Sequence, residues 1–392
     1  MAKSQSVYTC QKCGAQSPQW LGRCPECGEW NSFVEELKEH GGASKKTKKP
    51  ASPQKLSEVK TSTTTRTTTG FAEFDRVLGG GIVPGSVALI AGDPGIGKST
   101  LLLHTIGKTG GLYVSGEESV HQIKLRADRL GITTDTLLLL AENSLESILS
   151  SIDALDPATC SLIIIDSIQT IESEELGGMA GSVGQIRECS FALIQKAKQS
   201  GIPLFIIGHV TKEGTIAGPK ILEHMVDVVV YVEGDRHYQG RIVRTLKNRF
   251  GPTDEVGIFE MVDSGMVEVT NPSKLFLEGR LSGVPGSAIA VTLEGTRPLL
   301  VEVQALTVST QLAIPRRVTN GININRLQMI LAVLQKRLNI TIGTHDVFVT
   351  VSGGIRITEP AIDVPVALAI VSAFHNKPLP KTLAACGELG LL

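Results

Sequence analysis

Between residues 70 and 270, short apolar runs alternate with longer stretches of helical periodicity. The runs read SVALIAG (86–92), LYVSG (112–116), LLLL (137–140), SLIIID (161–166), PLFIIGH (203–209) and DVVVYVE (227–233). Helical patterns lie between them, one over 182–200, SVGQIRECSFALIQKAKQS. Strand and helix in alternation predict βαβ units around a largely parallel sheet. From 273 the rhythm changes. A strand pair around Gly295, AIAVTLEGTRPLLVEVQAL, reads as a hairpin, and a helix follows with Leu327, Ile330, Leu331, Leu334 and Leu338 on one face. VFVTVSGG and a second helix near 363–375 come next. The sequence stops at GELGLL, an apolar end expected to fall inside a domain. No internal repeat is present.

Ahead of residue 70 the apolar content drops. Residues 1–34 hold a cysteine cluster, and 35–69 carry KKTKKP and then TSTTTRTTT. From 41 to 69, six Lys and one Arg face a single Glu, a net charge of +6. Such a segment buries too little surface to fold alone. A solvated tether is favoured over a DNA-binding arm. The expected organisation is therefore residues 1–34, a tether over 35–69, an α/β domain over 70–270 and an α+β domain over 271–392.

Composition narrows the class. A chain of 392 residues calls for two or three domains, and 42% hydrophobic with 20% charged residues describes a globular protein. With a net charge of −1, any nucleic-acid contact must come from local basic patches. Residues 1–9 lack the apolar core of a secretory signal, and no run reaches the roughly 18 apolar residues of a membrane span. Cytoplasmic residence without a membrane partner is the expectation.

Seven cysteines are present, four of them between residues 10 and 27. Cys160, Cys189 and Cys386 stand apart and are expected to be inert buried thiols. Cys10, Cys13, Cys24 and Cys27 have the spacing C-x2-C-x10-C-x2-C. Each pair presents two thiolates from a tight turn, with Gly14 and Gly28 relieving the backbone behind it. Four thiolates suit tetrahedral Zn²⁺, which is preferred to a redox dithiol or a disulfide framework.

The most specific signal is GDPGIGKST, Gly92, Asp93, Pro94, Gly95, Ile96, Gly97, Lys98, Ser99 and Thr100, matching G-x-x-x-x-G-K-[ST] between an apolar strand and a helix. The glycines let backbone N–H groups turn toward phosphate oxygens. Lys98 supplies charge to the β- and γ-phosphates, and Ser99 a hydroxyl to Mg²⁺. ATP with Mg²⁺ is the expected ligand. Asp166 closes SLIIID at a strand's carboxyl end, where ligands of open α/β sheets collect, and is the candidate Mg²⁺-side carboxylate. Glu117 and Glu118 follow another strand, and either could activate the attacking water. His209 ends PLFIIGH and is a candidate γ-phosphate sensor.

The lead-in TGFAEFDRVLGGGIVPGSVALIAGDPGIGKST resembles the start of a RecA-type ATPase core. With the amino-terminal CxxC…CxxC and the stretch KNRFG, Lys247, Asn248, Arg249, Phe250 and Gly251, the whole chain is similar to the RadA/Sms family of bacterial DNA repair proteins. That resemblance implies a zinc ribbon, a RecA-like P-loop ATPase and a domain similar to the Lon protease fold. It further implies a homohexameric ring acting on single-stranded and branched DNA, with a RecA-type recombinase as partner. The implied activity is a DNA-dependent, helicase-like ATPase that drives branch migration. An ATP-gated DNA clamp without translocation is the alternative. The resemblance favours Glu117 as the catalytic carboxylate and His209 as the switch.

By themselves, Lys247 and Arg249 read as a solvated basic turn or a DNA contact. In a RecA-like ring that region faces the neighbouring subunit's nucleotide, so the pair could stabilise the transferred phosphoryl group in trans. Phe250 is expected to anchor the loop by packing and Gly251 to permit its turn. In Lon-type peptidases a serine sits near a helix start where this chain has AIDVP (361–365), so Asp363 takes the serine's place. An ionised Asp is not that nucleophile, and no peptidase activity is expected. Arg316 and Arg317, with Lys336 and Arg337, are the candidate DNA-contacting cations of this domain.

Overall fold

A computed structural model of the chain describes residues 5–38, 66–157, 159–208, 220–234, 239–281 and 283–391. Most of the basic tether and His209 lie outside the described residues. The chain divides into two compact units, residues 1–231 with 245–252, and residues 232–244 with 253–392.

The amino-terminal ribbon has three antiparallel strands, β1 (Gln5–Cys10), β2 (Gln16–Ser17) and β3 (Phe33–Lys38), in the order β2–β1–β3. Its apolar centre consists of Cys10, Cys24 and Phe33, with Tyr8, Cys13, Ala15 and Leu21 packed around it. So small a core needs a cross-link or a metal to hold it.

The first unit continues with α1 (Ala72–Val77), β4 (Val87–Gly92), α2 (Lys98–Thr109), β5 (Gly111–Ser115), α3 (Val120–Arg129) and β6 (Leu137–Ala141). It goes on through α4 (Leu145–Asp153), β7 (Ile163–Asp166), α5 (Val183–Ser200), β8 (Leu204–Ile207), α6 (Lys220–Met225) and β9 (Val228–Glu233). Neighbouring strands run in the order β9–β4–β8–β7–β5–β6, and the pairs from β4 to β6 are all parallel. Every residue of β4, β5, β7 and β8 is buried. Helices cover both faces of such a sheet, which is why these runs are continuously apolar instead of alternating. LLLL forms the edge strand β6, where Leu138 is half exposed. This is the α/β P-loop core that the pattern predicts.

The second unit takes in the first half of β10 (Gly240–Asn248), then β11 (Val256–Val262), β12 (Gly265–Glu268) and α7 (Pro272–Leu277). β13 (Ser287–Glu294), β14 (Arg297–Ser309), β15 (Arg317–Asn320), α8 (Ile324–Leu338), β16 (His345–Val351), α9 (Asp363–His375) and β17 (Ala384–Ala385) complete it. The hairpin at Gly295 forms with Glu294 opposite Arg297, in a five-stranded sheet ordered β15–β16–β14–β13–β17. Residues 253–270 group with this unit and not with the ATPase block. The cause is packing: Ile242, Val256, Ile258 and Val269 join the second unit's apolar core. In α8, Leu327, Ile330, Leu331 and Leu334 are buried as expected, but Leu338 is 60% exposed. It is the last residue before Asn339 ends the helix in a left-handed conformation, past the reach of the core. Among the described residues no helix is long and apolar enough to cross a membrane.

Candidate functional site

Parallel pairing decides which side chains meet. Because β4, β8, β7 and β5 share one direction, the residues that follow them collect along a single sheet edge. β4 feeds the loop 92–97, β7 ends at Asp166, and β5 feeds Glu117. The register sets Ser115 opposite Asp166, so Glu117, two residues on, lies over the same edge.

The loop has the geometry that phosphate binding demands. Gly95 and Gly97 hold φ of 78° and 112°, a left-handed range open to glycine, which turns successive amides inward. Lys98 begins α2 and is 3% exposed. Its ammonium donates to the carbonyl oxygens of Gly92 (2.8 Å) and Asp93 (2.9 Å), inside the loop a phosphate would fill. Burial lowers its pKa to about 8, opposed in part by the charges of Asp166, Asp93 and Glu117. Lysine binds phosphate as the cation, so ATP affinity should hold steady below pH 8. Above it, affinity should weaken by about tenfold per pH unit until the pKa of the bound form is passed. A titration of ATP affinity from pH 6.5 to 9.5 checks this, and a flat profile would contradict it.

Asp166 is buried and accepts a hydrogen bond from the Tyr113 hydroxyl. Burial, reinforced by the Asp166 charge, raises the Tyr113 pKa well above its ordinary value, so the phenol stays a donor. The Tyr113 oxygen accepts in turn from Arg126 Nη2 at 3.1 Å, and Arg126 Nη2 pairs with Glu118 Oε2 at 2.8 Å. A continuous polar chain thus links Asp166 to α3. Glu117 instead accepts from the Ser167 hydroxyl at 2.8 Å, beside Asp166. The two glutamates, equivalent by spacing, occupy different environments. Tyr113 and Arg126 escaped the sequence reading. The one signal for Tyr113 was a phenol inside an otherwise aliphatic strand, where a buried hydroxyl needs a partner.

In the ribbon, the four sulfur atoms of Cys10, Cys13, Cys24 and Cys27 lie within 4.8 Å of one another. The Cys10–Cys27 and Cys13–Cys24 separations are 3.7 and 3.5 Å. Zn–S bonds of about 2.3 Å in a tetrahedron set the sulfurs about 3.8 Å apart, so the cluster fits that ion. Each knuckle turns as expected: Gly14 and Gly28 donate to the carbonyls of Cys10 and Cys24 and hold φ near 75°. Cys160 and Cys189 are buried thiols, the latter pushed up to about 12 by burial. Cys386 departs from expectation and is exposed, because it follows the short edge strand β17.

Residues 8–35 match the model of a rubredoxin metal binding domain, and residues 66–247 that of a family of unknown function, DUF7125. The DNA repair protein RadA of Bacillus subtilis is 48% identical over 402 residues, which cover all of this chain and 87% of that protein. The RadA of Streptococcus pyogenes serotype M1 is 50% identical over 398 residues, with the same coverage. The chain belongs to the RadA family. Among solved structures, a KaiC-like protein from Pyrococcus horikoshii aligns with 53% of the chain at 21% identity and a TM-score of 0.44.

In this RadA-family chain the stretch Lys247–Gly251 closes the far end of β10. Lys247 Nζ donates to the carbonyls of Glu223 (2.7 Å) and Val226 (2.8 Å), so the ammonium caps the carboxyl end of α6. Burial and the neighbouring Arg249 lower its pKa. Arg249 Nη1 lies 3.3 Å from Asp227 Oδ1, while Asp227 Oδ2 accepts from the Val87 amide at the start of β4. The Asn248 side chain accepts from the Phe250 amide, and Arg66 Nη2 donates to the Phe250 carbonyl at 2.7 Å. The Gly251 φ is not left-handed, so this glycine serves a close approach and not a turn. A Cβ placed there would stand 3.0 Å from Gly79 Cα. The motif is thus tied to both α6 and the strand that feeds the phosphate loop.

In the second unit, Asp363 is 1% exposed at the start of α9 and forms a two-pronged pair with Arg326, including Nη2 to Oδ2 at 2.8 Å. It also accepts from the Leu389 amide at 3.1 Å. Arg317 directs its guanidinium at the carbonyls of Arg316, His345 and Ile342, whereas Arg316, Lys336 and Arg337 are exposed.

Proposed function

We propose that this chain is a DNA-dependent ATPase, a ring-forming, helicase-like motor that promotes branch migration during recombinational repair. The observation that carries the reading is one sheet edge on which a phosphate loop, a buried Asp and a Glu converge. Membership of a family named for DNA repair supplies the substrate. The amides of Gly95 to Ser99 and the Lys98 ammonium bind the phosphates of ATP. Ser99 and Asp166 hold Mg²⁺, which would neutralise charge on the transferred phosphoryl group. Glu117 orients the attacking water and takes its proton. Tyr113 keeps Asp166 aligned, as a donor behind a metal ligand does. The ribbon cysteines hold Zn²⁺. A homohexamer, single-stranded and branched DNA, and a RecA-type recombinase are the partners this reading implies, in a cytoplasmic setting.

Lys247 and Arg249 fit a coupling role. They sit on the end of α6 and on Asp227, so a displacement of either reaches β4 and its loop. The test is ATP turnover with and without single-stranded DNA, alongside branch migration of a model junction. Wild-type protein should show DNA-stimulated turnover and junction movement. Lys247→Ala should retain ATP affinity within about threefold, a change of under 1 kcal/mol, yet lose most of the DNA stimulation. DNA binding that responds to ATP, with no DNA-linked turnover or junction movement in the wild type, would leave a clamp in place of a motor.

A further inference from the structure

The 392 residues contain two tryptophans, and both lie in the zinc ribbon. Trp20 is 52% and Trp30 68% exposed. Tryptophan is the costliest side chain to leave in water, and a small domain that shows two of them to solvent has a use for their faces. Both rings are held, not loose. The Trp20 indole N–H donates to the Phe33 carbonyl at 3.2 Å, and the ring edge lies against Gly22, 3.7 Å from where a side chain would start. Trp30 bridges to Arg23 through the backbone, and the Arg23 guanidinium stands 5.7 Å from its ring centre. Arg23 is itself fixed by donating to the Gly28 carbonyl at 3.0 Å. Residues 20, 23 and 30, which flank the Cys24–Cys27 knuckle, therefore carry two pinned aromatic rings and an exposed cation.

We propose that Trp20 and Trp30 are stacking platforms for the bases of single-stranded DNA, with Arg23 beside Trp30 meeting the phosphate backbone. The inference deepens the DNA reading above and rests on it. Two features select this occupant over a protein surface. Aromatic faces beside a cation are the minimal reader of a single strand, since every base has a π-face and every linkage a charge. The sequence that follows the ribbon, from 41 to 69, carries a net charge of +6, which complements a polyanion and repels a basic partner. Over residues 1–38 the charges balance, Lys3, Lys12, Arg23 and Lys38 against Glu26, Glu29, Glu35 and Glu36. The rings thus supply the base contact, and the cations of the following sequence add attraction.

Because the chain has no other tryptophan, its intrinsic indole emission reports on this patch alone. The experiment titrates the zinc-loaded full chain with an oligothymidylate of about 12 nucleotides. Indole emission is followed together with the anisotropy of a labelled strand. An abasic strand of equal length serves as the second probe. Binding should quench the emission with oligothymidylate and much less with the abasic strand. Trp30→Ala and Trp30→Leu, each checked for full zinc content, should weaken oligothymidylate by about fivefold or more, and Trp30→Phe should restore most of that loss. Binding by anisotropy with unchanged emission would overturn the proposal while leaving the DNA reading intact. Equal quenching by the abasic strand would overturn it, as would undiminished affinity in the Trp20→Ala and Trp30→Ala chains. Variants that keep strand affinity but lose a protein partner would reassign the patch to protein docking. No binding by either signal would remove the DNA reading as well.

Discussion

Glu117→Gln is expected to lower ATP turnover by about 10²–10⁴-fold, the range that a positioned general base contributes. ATP affinity should stay close to wild type, because the amide keeps the size of the side chain and Lys98 keeps the phosphate contact. Glu118→Gln should retain most of the turnover. The contrast follows from what each carboxylate touches. Glu118 forms an ion pair with Arg126 on α3, at 2.8 Å, and its charge is engaged away from the phosphate loop. Glu117 accepts from Ser167, next to Asp166, and its field reaches Lys98. Breaking the Glu118–Arg126 pair removes a partly exposed contact, a small stability effect of about 1 kcal/mol or less. Measuring kcat and ATP affinity separately for both variants decides the matter. Full turnover in Glu117→Gln with a dead Glu118→Gln would reverse the assignment.

Much of this edge is readable in the sequence, and the reason is local. Loop 92–97 declares its conformation through glycines, and the strand–loop–helix order is visible in a dozen residues. Asp166 could be placed because it ends a buried run, and any residue there must emerge at the sheet's carboxyl edge. Glu117 and Glu118 could not be separated, since one residue of register decides which faces the loop. That register is set by the pairing of β5 with β7, about 50 residues away in sequence. Arg126 was invisible for a similar reason: its role depends on α3 returning across the end of β5. The stretch Lys247–Gly251 was legible as a motif but not as a structure. Its partners Arg66, Gly79 and Asp227 come from three separate parts of the chain. Residues 253–270 pack with the second unit, where Val256, Ile258 and Val269 join its apolar core, and the ordinary strand pattern of β11 and β12 does not announce that packing. Spacing within one turn or one knuckle survives translation into structure. Contacts assembled from distant segments do not.

Arg326→Leu is expected to destabilise the second unit by about 3–5 kcal/mol, the cost of leaving a buried charge without its partner. Asp363 is 1% exposed, and without the guanidinium its described hydrogen-bond donor is the Leu389 amide. Its place at the start of α9 gives some compensation, since the positive end of a helix favours an anion, but by only about 0.3–1 kcal/mol. Removing both charges should behave differently. Arg326→Leu with Asp363→Leu deletes the unpaired charge along with its partner and should recover most of the loss, because apolar replacements for a buried pair are often neutral or better. Urea denaturation of the full chain, with hydrogen exchange reporting on α8 and α9, measures both effects. A single variant within about 1 kcal/mol of wild type would mean that the pair is solvated and structurally idle. The expected pattern also gives Asp363 a structural role. Asp363 receives a guanidinium and a backbone N–H. It ties α9 both to α8, through Arg326, and to the terminal segment, through Leu389. A serine there could accept the Leu389 amide but could not balance Arg326, so Asp363→Ser should lose stability without gaining peptide hydrolysis.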